Sequence, residues 1–133
     1  MNPPANGHAK LKVLLVEDND DTRFLLQYIL ESAGYEVHAT GTMQAAIEAF
    51  RRIHSDILLS DVGLPDGSGW ELLRALREQG GEPYAIAMSG FGTLTDVDAS
   101  AAAGFRHHLV KPVRLEALES LLEEARAEVR QAS

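Results

Sequence analysis

The chain has no cysteine among its 133 residues. That excludes disulfides, thiolate metal sites and cysteine nucleophiles, and it suits a reducing cytoplasm, the expected location. Aromatic residues are few, at 6%, with one tryptophan, Trp70. Positive charge is scarce: 12 Lys and Arg against 20 Asp and Glu give a formal net charge of -8. This balance argues against direct nucleic-acid binding, which needs clustered cations facing phosphates. No apolar run approaches the length of a membrane span, and Met1 to Lys10 lack the apolar core of a signal peptide. No membrane partner is expected. Internal repeats and low-complexity tracts are also missing.

What is there suits one domain. Hydrophobic residues make up 45% of the chain, enough for one well-filled core. Residues 1–10 carry Pro3, Pro4, Asn6 and Gly7 and read as a flexible tail or linker. Residues 11–131 read as the folded domain, and 132–133 as a second tail.

The most informative stretch is Asp56 to Gly67. Ile57, Leu58 and Leu59 form a short apolar run that reads as a buried strand of a parallel sheet. Asp61 sits where that strand stops. Packing explains a carboxylate there poorly, because an isolated buried charge is costly. It needs a cation, a hydrogen-bond network or a reaction, although a plain strand terminus remains open on this stretch alone. Gly63, Pro65 and Gly67 shape the loop beyond it.

Taken in order, the chain alternates strands and helices. Leu11 to Glu17 predicts a first strand. Asp18 to Thr22 then lead into a helix through about Ala33, with Phe24, Leu25, Ile29 and Leu30 as its apolar positions. Tyr35 to Thr40 is a second strand. Thr42 is a candidate N-cap for a helix whose apolar face is Ala45, Ala46, Ala49, Phe50 and Ile53. After the third strand, Ser68 or Asp66 caps a helix to about Gln79 that carries Trp70, Leu72, Leu73 and Leu76. Tyr84 to Met88 is a fourth strand ending at Ser89. Gly90, Phe91 and Gly92 form a flexible loop. Thr93 or Thr95 starts a small-residue helix through Ala103. Phe105 to Val110 is a fifth strand ending at Lys111 and Pro112. Leu115 to about Arg130 is a final helix.

Five strands alternating with five helices predict an α/β fold: a doubly wound five-stranded parallel sheet with helices on both faces. A flavodoxin-like strand order, 2-1-3-4-5, fits right-handed crossovers. In that order the first, third, fourth and fifth strands are neighbours. Their carboxyl ends carry Glu17 and Asp18, Asp61, Ser89 and Lys111. Three crowded carboxylates raise one another's pKa unless a cation intervenes. Hard oxygen ligands suit Mg2+ or Mn2+. A divalent cation and a lysine around one aspartate form a phosphoryl-transfer arrangement, with Asp61 as nucleophile and Ser89 as a hydrogen-bond donor. Each feature alone has a plainer reading as a solvated loop, turn or cap. Their coincidence at separate strand ends favours the chemical one.

The matching segments are Val16-Glu17-Asp18-Asn19, Ser60 to Gly67 (Ser-Asp-Val-Gly-Leu-Pro-Asp-Gly), Met88-Ser89-Gly90 and Val110-Lys111-Pro112. By these the chain resembles the receiver domains of two-component response regulators, from about Leu11 to Gln131. The resemblance implies that Asp61 is the phosphoacceptor. It implies Asp18, Asp61 and the backbone carbonyl of Gly63 as metal ligands, with Glu17 acting through water. It further implies Ser89 as the switch hydroxyl and Lys111 as the partner of the phosphoryl group. The implied partner is a histidine kinase or a histidine phosphotransfer domain. A homodimer through helix 4, strand 5 and helix 5 is a further expectation. Catalysis would be limited to self-phosphorylation and slow autodephosphorylation, so the chain is not expected to be an enzyme in the ordinary sense. The Gly-Leu-Pro wording after Asp61 most resembles receivers attached to hybrid histidine kinases.

One position departs from the family. Receivers often carry Tyr or Phe three residues before the lysine, and here that position is His108, beside His107. His108 would have to serve as the second switch residue, or else both are partly exposed edge-strand histidines. His8, in the tail, and His38 and His54, read at element ends, carry no expected role. Three other readings compete. An aspartate-nucleophile, Mg-dependent phosphatase of the haloacid dehalogenase type would need an aspartate where Gly63 stands. A flavin carrier would need a phosphate loop where this chain has Glu17 to Asp21. A pseudo-receiver docking module would have lost part of the acidic set or Lys111.

Overall fold

The computed structural model describes residues 10–90 and 94–132. The elements in chain order are β1 (Lys12–Val16), α1 (Asp20–Ser32), β2 (Glu36–Thr40), α2 (Met43–Arg52), β3 (Ile57–Asp61), β4 (Gly63–Leu64), β5 (Gly67–Ser68), α3 (Gly69–Glu78), β6 (Tyr84–Ser89), α4 (Leu94–Ala103), β7 (His107–Val110) and α5 (Leu115–Ala132). The main sheet runs β2-β1-β3-β6-β7, and the pairings along it are parallel. This is the expected order, with the fourth and fifth strands now β6 and β7. An extra antiparallel pair, β4 with β5, adds to the five strands expected. Each of its strands has two residues, too few to show a period.

The central strands read as unbroken apolar runs because both faces of the sheet are covered. Alternate side chains point to opposite faces. Val13, Leu15, Ile57, Leu59, Ile86 and Met88 pack with Leu26 and Leu30 of α1 and Leu118 and Leu122 of α5. Leu14, Val16, Leu58, Ala85 and Ala87 pack with Phe50 of α2 and with Leu72, Leu73 and Leu76 of α3. Truncating any of these fully buried leucines to alanine costs about 2–5 kcal/mol.

Several helix expectations are corrected. On α1 the buried positions are Leu26 and Leu30, while Phe24 and Leu25 are 75% and 56% exposed. On α2, Ala46 and Phe50 are buried, but Ala45 and Ile53 face outward. Thr42 does cap α2, accepting from the Ala45 amide at 3.0 Å. Of the two candidate caps for α3, Ser68 accepts from Glu71 N at 3.0 Å. Asp66 instead reaches α2, accepting from Met43 N at 2.7 Å and Gln44 N at 3.0 Å. His38 lies inside β2 and contacts Glu36 at 2.8 Å, not at an element end. The fifth strand begins at His107 rather than Phe105. Ala132 belongs to α5 rather than to a tail. Residues 1–9 of the expected tail, and Phe91, Gly92 and Thr93 of the expected loop and helix start, lie outside the described residues.

Candidate functional site

The carboxyl ends of β1, β3, β6 and β7 meet at one edge of the sheet. Register explains the convergence. Val16 pairs with Ser60, Asp61 with Met88, and Ser89 with Val110, so Glu17 and Asp61 fall at one level, with Ser89 and Lys111 just beyond it. Two backbone bonds tie the ends together: Val62 N donates to Met88 O at 2.8 Å, and Lys111 N donates to Ser89 O at 2.7 Å. The predicted residues Asp18, Asp61, Gly63, Ser89 and Lys111 line one surface pocket with Val62, Met88, Gly90 and Asp96.

Asp61 is 3% exposed and Glu17 is fully buried, whereas Asp18 is open to solvent. Carboxylate oxygens of Glu17, Asp18 and Asp61 all lie within 4.8 Å of one another, a spacing that a single cation can bridge. Lys111 Nζ stands 2.6 Å from Glu17 Oε1 and 2.6 Å from Asp61 Oδ1. Its contact with Glu17 is a directed hydrogen bond. The contact with Asp61 Oδ1 is not aligned as one, and that buried oxygen has no hydrogen-bond partner among the described residues. The other oxygen, Oδ2, receives a long bond of 3.4 Å from Asp18 N.

The electrostatics follow from this crowding. Burial, together with the neighbouring Glu17 carboxyl, pushes Asp61 up to about 7, with Lys111 only partly offsetting it. Burial also opposes ionisation of Glu17, but the neighbouring Asp61 carboxyl, the Lys111 ammonium and the Asn19 amide outweigh it and hold Glu17 below the usual range. Lys111 is raised: burial works against its charge, and the two carboxylates overcome that. A buried acidic oxygen without a directed partner, beside two further carboxylates, fits a divalent cation with oxygen ligands.

Some supporting residues carry little signal in the sequence. Gly69 opens α3 so close to β3 that an added Cβ would lie 2.5 Å from the Asp61 carbonyl oxygen. Its amide donates to Val62 O at 2.7 Å, which holds the loop after Asp61 against the helix. The Ser68-Gly69 pair at a helix start was the available clue. Arg23 donates to the Glu17 carbonyl at 2.9 Å and to Asp20 Oδ1 at 2.6 Å, bracing the acidic loop. Asp96 enters the pocket from α4, a placement that only tertiary contact reveals.

His107 and His108 are both half-buried on the edge strand β7. His107 Nε2 contacts the Tyr84 hydroxyl at 2.8 Å. The ring of His108 faces the site: its Nε2 lies 2.7 Å from Ser89 Oγ and its Nδ1 lies 2.9 Å from Ser100 Oγ.

The family model for the response regulator receiver domain matches residues 13–123. The chain is 35% identical over 107 residues to the "uncharacterized 14.6 kDa protein in sodA1 3′ region" of Leptolyngbya boryana, covering 79% of this chain and 82% of that protein. It is 34% identical over 112 residues to the two-component response regulator PhoP of Pseudomonas aeruginosa, covering 84% of this chain but only 50% of PhoP. Among solved structures it is similar to a CheY-like response regulator receiver domain protein from Methanospirillum hungatei, with a TM-score of 0.87 and 26% identity over 94% of this chain and 100% of that one. Fold, strand-end geometry and these likenesses agree: the chain belongs to the response regulator receiver domain family, the signalling modules of two-component systems.

Proposed function

We propose that the chain accepts a phosphoryl group on Asp61 from the phosphohistidine of a histidine kinase or histidine phosphotransfer domain and switches conformation in response. One observation carries this reading: Asp61 Oδ1 is buried, faces Lys111 and has no directed partner among the described residues, yet its residue lines an open pocket. Asp18, Asp61 and the Gly63 carbonyl would hold Mg2+, with Glu17 behind them through water. When bound, the ion neutralises charge on the phosphoryl oxygens and lets Asp61 ionise.

In the transfer, an Asp61 oxygen forms the new O–P bond as the P–N bond of the donor breaks. The leaving imidazole keeps that electron pair and takes a proton from solvent. Lys111 follows the growing charge on the phosphoryl oxygens, and Ser89 donates to one of them. Hydrolysis by water returns Asp61 to its carboxylate, so the chain is a switch rather than an enzyme acting on others. A second copy could dock through α4, β7 and α5, a face that exposes Val97, Val110 and Leu115. A cytoplasmic location suits such a partner set.

The test is intact mass after incubation with acetyl phosphate and Mg2+. The parent gains one phosphoryl group. Asp61→Asn does not, and neither does the parent with excess EDTA. A phosphoryl group on Asp61→Asn refutes the assignment.

A further inference from the structure

His108 belongs to a longer polar chain than the site itself requires. Ser89 Oγ meets His108 Nε2 at 2.7 Å, and His108 Nδ1 meets Ser100 Oγ at 2.9 Å. Trp70 Nε1 donates to the same Ser100 Oγ at 2.9 Å. Four elements are thereby linked: β6, β7, α4 and α3. Ser100 is 1% exposed, so its contacts are made inside the protein. A mid-helix serine at such a buried position needs a reason beyond packing.

Counting hydrogens restricts what this chain can do. The Trp70 indole can only donate. Each serine has one hydrogen, and a neutral imidazole has one donor nitrogen and one acceptor. Suppose Ser89 gives its hydrogen to a phosphoryl oxygen on Asp61, as the reading above requires. Its contact with His108 then survives only if Nε2 carries the ring hydrogen. Nδ1 becomes the acceptor, and Ser100 must turn its hydroxyl toward it. Trp70 still donates to the remaining face of Ser100. Every bond in that arrangement points the same way: Trp70 to Ser100, to His108, to Ser89, to the anion. Donor chains of this kind strengthen one another.

We propose that His108, Ser100 and Trp70 form a hydrogen-bonded relay that aims the Ser89 hydroxyl at the phosphoryl group on Asp61 and carries the phosphorylated state to the contact between α3 and α4. No proton is gained or lost overall. Where the ring hydrogen rests on Nδ1, the imidazole exchanges it to Nε2 through solvent, and each hydroxyl only turns. The family's aromatic ring at this position is thus replaced by a group that reads the site through bond direction. His108, Ser100 and Trp70 are positioning residues, and by linkage the far end of the relay acts back on how tightly the site holds a phosphoryl analogue.

Trp70 is the single tryptophan, so its emission and its indole N–H resonance report the far end directly. The measurement compares protein in Mg2+ with and without beryllofluoride, alongside 15N spectra of the histidine rings. The parent should show a shifted Trp70 signal and His108 in its Nε2–H form. His108→Phe and Ser100→Ala should lose the Trp70 response. Both should also weaken beryllofluoride binding about three- to tenfold, as expected for one lost hydrogen bond. His108→Gln, which keeps a donor and an acceptor, should restore part of both. A parent that never gains phosphoryl mass from acetyl phosphate overturns the acceptor reading and this relay with it. A parent that gains the mass while His108 bears its hydrogen on Nδ1, or variants whose Trp70 responds like the parent's, overturn the relay alone.

Discussion

Lys111 shows how much one side chain holds at this site. Its ammonium touches a fully buried glutamate and a nearly buried aspartate, at 2.6 Å each. Removing it would leave two carboxylates crowded together without a counter-charge. Breaking a buried ion pair from one side costs about 3 kcal/mol. Lys111→Ala is therefore expected to destabilise the metal-free protein by roughly that amount, and Mg2+ should recover much of the loss by supplying another cation. Thermal melts in EDTA and in Mg2+ check this. Equal destabilisation in both conditions would show that Lys111 acts through packing instead.

At the scale of elements, Asp66 links two of them. It follows the Asp61 loop in sequence, yet it closes the first turn of α2 by accepting from two backbone amides. Those amide bonds hold its carboxyl below the usual range. A depressed carboxylate contributes stability above its ordinary pKa and loses it as pH falls through the lowered value. Asp66→Ala should lower the melting temperature at neutral pH, and the deficit should shrink in strong acid, where the parent has also lost the bond. An Asp66→Ala deficit that stays constant from neutral to acid pH would remove the capping explanation. The helix α1 gives the opposite lesson. Phe24, Leu25, Ile29 and Leu30 carry an apolar signal, yet Phe24 and Leu25 face outward and Leu26 takes the core position. Periodicity reports which residues are apolar, while the neighbouring sheet decides which of them it covers.

For the whole molecule, the carboxylate edge sets a pH dependence. The Asp61 pKa is raised from an ordinary 3.8 to about 7. The folded state thus holds a proton that the unfolded chain has already released. Its contribution is complete below the ordinary value and is lost as pH rises through about 7. Glu17, held low, has the opposite sign and matters below its ordinary 4.5. Between these values Asp61 governs. In EDTA, stability should fall as pH rises from about 5 to 8, and Asp61→Asn should be flatter over that range and more stable at its upper end by on the order of 1–2 kcal/mol. Denaturant midpoints at several pH values measure this. A parent whose midpoint rises across that window would show that Asp61 is not held protonated.

Much of this protein was determined by its sequence alone. Apolar runs of strand length, separated by helical periods, are local signals that each segment carries by itself, so the five-stranded order and the strand-end residues Asp18, Asp61, Ser89 and Lys111 were legible. What remained depended on contacts between segments far apart in the chain. Only the tertiary structure decided that Asp66 serves α2 while Ser68 caps α3, because both residues have cap chemistry and only distance chooses between them. The two-residue pair β4–β5 lies in the loop between Asp61 and α3, and neither strand is long enough to signal itself in the sequence. The histidine at 108 read equally well as a switch or as an edge-strand residue. Its two serine contacts and the indole beyond them come from three other elements, so no stretch of sequence contains them.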